Sequence, residues 1–412
     1  MVKLQPFQIL KITQNIMQQQ KIPFSFKIVI ILVWALPQMS TDIYLPSMPS
    51  MAHYFNTSLS MVQYTIFFYT IGFSLGALFF GPISDRIGRR PVILWSLFFA
   101  AIGCLIALFS TNLTILFAAR FLQGIALVGV GSTMRAVTKD ICPDKETMAK
   151  FGAIMGIAIP IAAAIAPVIG GYIEKYTNWR VSFGFLLVYI LIFLAYSIKK
   201  LPETNHDKLE RPFKYLLLDY KEVLTNGQFF RYNSITAFAL CSMFAYLTLS
   251  PYLLQVKAGL SPEMFGYTNL LISATLVVSS YVNSKMIYHK GIDKMLRTGV
   301  LLLGVSGVLF LIFGVFHNFH VYAILSPLII MVWGCGFIYP NASAGGLSLF
   351  NKSAGTAGAV YAFIQMMGGA AGSGFISIMS RYGDPLQCLG LFVILQAIVG
   401  TIFAKQLIKQ NK

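Results

Sequence analysis

Charge is what this chain lacks most. Of 412 residues only 11% are charged, and aspartate and glutamate together number 14. A soluble domain carries about 25% charged residues, so a chain that is 57% hydrophobic, with a mean hydropathy of +0.71, is not a water-soluble globule. Apolar and polar residues do not alternate along its apolar runs, which excludes a membrane β-barrel. The five cysteines, Cys104, Cys142, Cys241, Cys335 and Cys388, are odd in number and scattered. Neither a disulfide framework nor a metal site is expected from them, and no cofactor is expected. No glycine-rich phosphate loop occurs, so ATP is not expected to be used. No group of acid, base and nucleophile is spaced as an enzyme would need; His317 and His320 read as solvated residues of a short loop. The first twenty-odd residues are polar and Gln-rich, with Lys3, Lys11 and Lys21. They lack the apolar core and cleavage pattern of a signal peptide.

What the chain has is apolar runs near the ~20 residues that cross a bilayer as helix. Polar breaks divide them into spans at 26–46, 61–81, 92–109, 114–135, 147–173, 181–199, 232–256, 263–284, 297–315, 321–344, 354–379 and 386–405. The expected fold is an all-α membrane protein of twelve transmembrane helices. Lysine and arginine fix the orientation. With the N-terminus inside, 26 of the 31 lie in cytosolic segments, while Lys175, Arg180, Lys257 and Arg381 lie outside. Both termini are therefore expected in the cytosol. The net charge of +17 then faces anionic lipid and needs no nucleic acid.

The stretch from Lys199 to Arg231 is the longest polar one. It divides the chain into a tail (1–25), a six-helix bundle (26–199), a cytosolic linker (200–230), a second six-helix bundle (231–406) and a tail (407–412). The halves echo weakly. Ser58-Leu-Ser60 recurs as Gly259-Leu-Ser261, and Gly129-Val-Gly131 as Gly334-Cys-Gly336. A spacing near 200 residues predicts two pseudo-symmetric bundles with a site at their interface.

Only one acid, Asp42, and one arginine, Arg120, fall well inside the proposed spans. An ionised group at mid-membrane costs at least ~2.5–3.5 kcal/mol, so each requires a partner or a wet cavity. At 1.5 Å per residue, Asp42 sits ~9 Å and Arg120 ~8 Å from the outer side of a ~30 Å core. They share a depth if the first and fourth helices adjoin. Trp34, Gln38, Thr41 and Asp42 form one stripe of the first helix. A polar stripe on an apolar helix lines a cavity; the alternative is that Asp42 hydrogen-bonds the turn at Tyr44-Leu45-Pro46. Burial opposes ionisation of Asp42 and Arg120 favours it, a balance suited to a group that takes up and releases protons.

Three segments carry structural and gating expectations. The loop Gly81-Pro-Ile-Ser-Asp85-Arg86-Ile-Gly88-Arg89-Arg90-Pro91 lets two helices meet tightly and pin each other by charge. Arg135 is placed at the cytosolic end of the fourth helix near Asp140, and Asp140 is a partner for Arg89 or Arg90, a latch that breaks when the inner side opens; ordinary snorkelling is the alternative. The fifth helix is rich in small residues and prolines, including Gly152, Gly156, Pro160, Pro167, Gly170 and Gly171, which permits close backbone approach.

The charged loop closely resembles the one between the second and third helices of major facilitator superfamily transporters. Leu201-Pro202-Glu203-Thr204 resembles the segment just after their sixth helix. The fifth-helix series resembles the antiporter signature of drug exporters, with Ala153, Ala162 and Ala166 where glycine is preferred. The resemblance narrows to the Bcr/CflA branch of drug:proton antiporters. It rests on Thr41-Asp42-Ile-Tyr44-Leu-Pro46, Arg120-Phe-Leu-Gln123-Gly124, Arg135-Ala136 with Asp140, Ser250-Pro-Tyr-Leu-Leu-Gln255 with Gly259-Leu-Ser-Pro262, and Pro340-Asn341-Ala342 with Ala354-Gly355 and Gln365. It implies export of varied small molecules against proton entry across the bacterial cytoplasmic (inner) membrane, by rocking of two bundles in a monomer. Asp42 and Arg120 are the expected proton-coupling pair. For substrate, this sequence nominates Trp34, Gln38, Phe244, Tyr246, Tyr339, Asn341, Tyr361 and Gln365, aromatic faces and amides that suit a promiscuous pocket. One acid against at least one arginine favours neutral, zwitterionic or anionic cargo. A dedicated exporter of an endogenous metabolite such as a siderophore, and a proton-coupled uptake symporter, are the alternatives.

Overall fold

The computed structural model describes residues 24–142, 144–205, 214–350 and 354–410. Most of the expected N-terminal tail, residues 206–213 of the linker and the last two residues lie outside the described residues. The described residues are helical throughout, and eleven helices are long and apolar enough to cross a membrane.

In order, the α-helices are α1 (Phe24–Asp42), α2 (Met48–Tyr54), α3 (Leu59–Ile87), α4 (Arg89–Leu108), α5 (Leu113–Ile141), α6 (Lys145–Tyr176), α7 (Trp179–Lys200), α8 (Lys214–Thr225), α9 (Gly227–Pro251), α10 (Pro262–Val315), α11 (Val321–Leu347), α12 (Ala354–Met379) and α13 (Pro385–Gln410). Short loops separate them, and a capping side chain restarts five of the helices at once. Asn112, Asp144, Asn178, Asn226 and Ser261 each accept a hydrogen bond from a free backbone N–H of the first turn. Between α3 and α4 only Gly88 intervenes, at φ 111° and ψ 161°, a backbone region that essentially only glycine adopts. Gly291, at φ 75° and ψ 163°, breaks the 54-residue α10. At 1.5 Å per residue a straight α10 would be ~80 Å long, enough for two crossings.

Two departures from the sequence reading bear on function. The linker contains a helix that the sequence reading did not mark, α8; Val223 is buried there and the Tyr220 hydroxyl donates to the Leu78 carbonyl of α3. The fourth of the expected helices does not end at Arg135. Helix α5 continues to Ile141, so Arg135 is inside it.

Helix α6 packs along α10, and α3 along α12. At the end of the molecule away from the linker these lines are tightly closed. A Cβ on Gly171 would lie 2.4 Å from the Pro262 carbonyl oxygen, and one on Gly266 2.6 Å from that of Pro167. Tyr172 and Tyr267 share a hydroxyl hydrogen bond of 2.6 Å, Lys175 pairs with Glu263 at 2.8 Å, and Arg381 donates to Ser60 at 3.2 Å. Toward the linker end the helices part. Added Cβ atoms at Gly152 and Gly156 of α6, or at Gly355 and Gly358 of α12, would meet nothing within 4 Å.

Candidate functional site

Helix α1 carries the stripe. Pro37 lies within it and removes one backbone N–H from the helical ladder. The helix stops at Asp42, where a turn leads into the 3-10 segment Leu45–Ser47. Asp42 is 3% exposed and, among the described residues, is the only carboxylate buried to that degree. Its Oδ2 accepts a 2.6 Å hydrogen bond from Gln38 Nε2, one helical turn earlier, and its Oδ1 is buried without a partner. The carboxylate is therefore tied to the stripe on its own helix.

Arg120, on α5, is fully buried. It does not form an ion pair with Asp42. Its Nη1 donates to Gln123 Oε1 at 2.5 Å and to Ser40 Oγ, two residues before Asp42, at 3.3 Å. The guanidinium carbon stands 4.5 Å from the centre of the Tyr44 ring and 4.4 Å from that of Tyr69, with Phe183 at 5.9 Å. Ring faces carry negative quadrupolar potential, so three aromatics stabilise the cation that a carboxylate would otherwise have to neutralise. Nε and Nη2 remain buried and unpartnered. The result is a buried acid and a buried cation on adjoining helices, neither consumed by the other. Gln123 is further fixed by donating to Cys104 Sγ at 3.2 Å. Tyr69 and Phe183 escape sequence reasoning, because nothing in their local pattern marks a ring that faces a cation.

Trp34 and Gln38 stand on the same helix as Asp42, and the Arg135 guanidinium carbon lies 5.0 Å from the centre of the Trp34 ring. The other nominated residues lie in the second half of the chain, where Tyr246, Tyr339 and Tyr361 belong to three separate apolar clusters. The Asn341 amide, fully buried, donates to Asn283 Oδ1 and to the Phe337 carbonyl, each at 2.7 Å. Tyr361 shares a 3.1 Å hydrogen bond with Thr236. Phe244 packs against Gly369, and Tyr246 is buried with its hydroxyl unpartnered. Tyr339 and Gln365 are half-buried. Asn341 and Tyr246 are thus core groups in this conformation.

The charged loop is held within the first half of the chain. Arg89 Nε donates to Asp140 Oδ2 at 3.0 Å, its Nη1 to Ser84 Oγ at 2.7 Å, and it pairs with Asp85. Arg90 instead donates to the Ile198 carbonyl at 2.8 Å. Glu203 closes the arrangement: its carboxylate accepts from the backbone N–H groups of Arg89 and Arg90 at the start of α4, and from those of Thr204 and Asn205. Burial alone would push the Glu203 carboxyl above its usual range, but these backbone donors outweigh it and hold it below. A side chain at Gly88, already strained at φ 111°, would place its Cβ 2.4 Å from Glu203 Oε2 and push that carboxylate off its backbone donors. The Arg89–Asp140 pair is intact while the helices part at the linker end, and all its members belong to α3, α4, α5 and the linker start. Of the two arginines expected as partners for Asp140, it is Arg89 that pairs with it. Gly81, among the expected packing residues, faces open space, whereas a Cβ on Gly170 would collide with the Ile43 carbonyl at 1.7 Å. Pro167 offers its carbonyl to the close approach of Gly266. Arg86 lies in the last turn of α3.

Residues 30–373 match the family model of the Major Facilitator Superfamily. The chain belongs to that superfamily. Among curated relatives, "Multidrug resistance protein D" of Escherichia coli (strain K12) is 28% identical over 90% of this chain and 93% of its own length. The "Bicyclomycin resistance protein homolog" of Haemophilus influenzae is 26% identical over 88% and 91%. "Chloramphenicol resistance protein CraA" of Acinetobacter baumannii is 25% identical over 83% and 82%. Among solved structures, a POT family transporter in complex with 5-aminolevulinic acid superposes with a TM-score of 0.75 at 13% identity, covering 92% of this chain and 96% of the other. A D-xylose-proton symporter gives 0.70 at 16%, covering 92% and 97%. At these identities the structural likeness establishes the fold, and no more.

Proposed function

We propose that the chain is a proton-coupled exporter of small organic molecules, working by alternating access. Its drug-resistance relatives support the export of drugs. The observation that carries the coupling is Asp42, a buried carboxylate lodged beside a cation that aromatic rings already stabilise. Burial opposes its ionisation while Gln38 and Arg120 favour it, so a change in water access tips its protonation. In this reading Asp42 takes a proton from outside and releases it inside as cargo leaves. One charge falling through ~100 mV is worth ~2.3 kcal/mol, which sustains a gradient of roughly forty-fold for a neutral cargo exchanged one for one.

The accompanying picture counts α10 as two crossings, for twelve in all, in two six-helix bundles (26–199 and 231–406) joined by the linker at 200–230. Both termini face the cytosol of a bacterial cytoplasmic membrane, and the protein acts as a monomer without cofactor. On that orientation the state described here is open to the inside. Neutral, zwitterionic and anionic cargo is favoured over dications.

Uptake by symport is the second reading, because the same fold serves a D-xylose-proton symporter. A dedicated metabolite exporter would share fold and coupling with a drug exporter, and a screen of a knockout's secreted metabolites separates them. The central test is transport in vesicles for the native chain beside Asp42→Asn. The variant is expected to lose dependence on the proton gradient; unchanged dependence removes the coupling assignment. The direction of alkalinisation on adding cargo separates export from uptake.

A further inference from the structure

Among the described residues, nothing pairs with the cation of Arg135. It stands six residues inside the end of α5, or ~9 Å along the axis. Its neighbours Thr133, Met134, Val137 and Thr138 are buried while Arg135 itself is exposed, so solvent reaches this depth from the parted linker end. A snorkelling arginine extends toward the membrane surface. This one turns to α1 instead, its guanidinium over the ring of Trp34 at 5.0 Å, and Trp34 lies ten residues, ~15 Å, along α1 from Phe24.

A guanidinium offers five N–H donors, and among the described residues Arg135 has no hydrogen-bond acceptor and no ion-pair partner. Asp140, the acid five residues along α5, is engaged by Arg89 and by the Thr204 hydroxyl at 3.0 Å each. Asp42 is held by Gln38. Beside Arg135, the Trp34 indole N–H is buried and also lacks an acceptor. Arg135, which solvent reaches, and the Trp34 N–H buried beside it are neighbouring donors with no acceptor among the described residues, and together they make a place for an anion.

We propose that Arg135, positioned by Trp34, is the recognition point for a carboxylate on the cargo, so that this transporter takes amphiphilic organic monocarboxylates. The proposal deepens the export reading and rests on it only in calling the ligand cargo. The chemistry of the pair supports the class. A planar guanidinium matches a carboxylate with two parallel hydrogen bonds, and stacking on a ring holds the fork in place before the ligand arrives. The ligand's body then lies along α1 toward Gln38, whose partner Asp42 is ~12 Å from Trp34. A cationic ligand at this position would meet Arg135 with like charge.

The test is equilibrium binding to purified protein in nanodiscs with no proton gradient, so failure of coupling at Asp42 and failure of anion selection are separate outcomes. Three probes share one ring system: 1-naphthaleneacetate, its neutral amide, and 1-naphthalenemethylamine as the cation. Charge-assisted hydrogen bonds predict that the acid binds at least about tenfold more tightly than the amide, with the amine weakest. Arg135→Gln is expected to erase the acid's advantage, and Arg135→Lys, which keeps charge without the fork, to retain part of it. The proposal is overturned if acid and amide bind native protein equally, if neither binds, or if Arg135→Gln keeps the preference. The native comparison alone decides should a variant fail to fold.

Discussion

Replacing Glu203 with glutamine changes one oxygen to an amide nitrogen, and the structure says what that does. Oε1 accepts from the backbone N–H groups of Arg89, Thr204 and Asn205 at 2.8, 3.0 and 2.9 Å, and Oε2 accepts from that of Arg90 at 3.1 Å. A glutamine that keeps its carbonyl at Oε1 retains three of these contacts but points N–H groups at the Arg90 N–H. The negative charge at the N-terminus of α4 is lost as well. A hydrogen bond to a charged group is worth ~1.5–3 kcal/mol, and a charge at a helix N-terminus ~0.3–1 kcal/mol. Glu203 is partly exposed, which places the expected loss at the low end, ~1–2 kcal/mol. The pH dependence has a definite sign. The folded-state carboxyl titrates below its usual value, so its stabilisation is complete above the unfolded-state pKa of ~4.3 and is lost as pH falls through the folded one. Apparent thermal stability in detergent, followed from neutral pH down to about pH 3.5, should show Glu203→Gln below native at neutral pH and the gap closing on acidification. Equal stability at neutral pH, or a gap that widens in acid, would refute the reasoning.

Two further substitutions probe closure and charge. Gly171→Ala places a Cβ 2.4 Å from the Pro262 carbonyl and 2.9 Å from the Pro262 carbonyl carbon, backbone that cannot swing away, so the end away from the linker should stay ajar. A cysteine introduced at position 263 should then react faster with a membrane-impermeant maleimide than in the glycine parent, and an unchanged rate counts against tight packing there. Arg120→Lys keeps the charge but loses the planar fit between Tyr44 and Tyr69, forfeiting ~1–2 kcal/mol of cation–π stabilisation. Proton-driven transport should fall about tenfold with expression intact, and a fully active lysine variant would show that charge alone suffices.

The long apolar helices were legible because a bilayer demands long apolar runs, and the breaks between them coincide with Asn112, Asp144, Asn178 and Asn226, which restart helices. Depth along a helix was legible too, since rise per residue is fixed, and it put Asp42 and Arg120 at one level. Depth is a single coordinate, however. Which way a guanidinium turns depends on rings supplied by other helices, and Tyr44, Tyr69 and Phe183 took Arg120 instead of the carboxylate. Helix α8 was hidden because Val223 and Tyr220 bury themselves against partners far along the chain. Arg135 shows how a boundary error becomes a functional one. Ending the fourth span at that residue made it a charge at the helix end, whereas six more helical residues place it within the helix, where it faces Trp34 of α1.

Placing a cargo carboxylate at Arg135 has an electrostatic consequence for Asp42. At ~12 Å and an effective dielectric of ~20, two like charges repel by ~1.4 kcal/mol, so a bound anion favours Asp42 holding its proton. That is the sign expected of symport; an exchanger must overcome it when the cavity changes sides, with Arg120 supplying the opposing attraction. Voltage separates the two. Exchange of one proton inward for one monoanion outward moves two charges in the same sense, whereas proton–anion symport moves none. At ~2.3 kcal/mol per charge per 100 mV, an exchanger at equal pH on both sides sustains an acid gradient of about 2,000-fold at ~100 mV, and a symporter sustains none. Proteoliposomes with an imposed potassium diffusion potential and the naphthaleneacetate probe measure this directly. Accumulation that tracks voltage with a slope of two charges supports exchange through Asp42 and Arg135 together. A flat response would leave the anion site standing and reverse the direction assigned to the transporter.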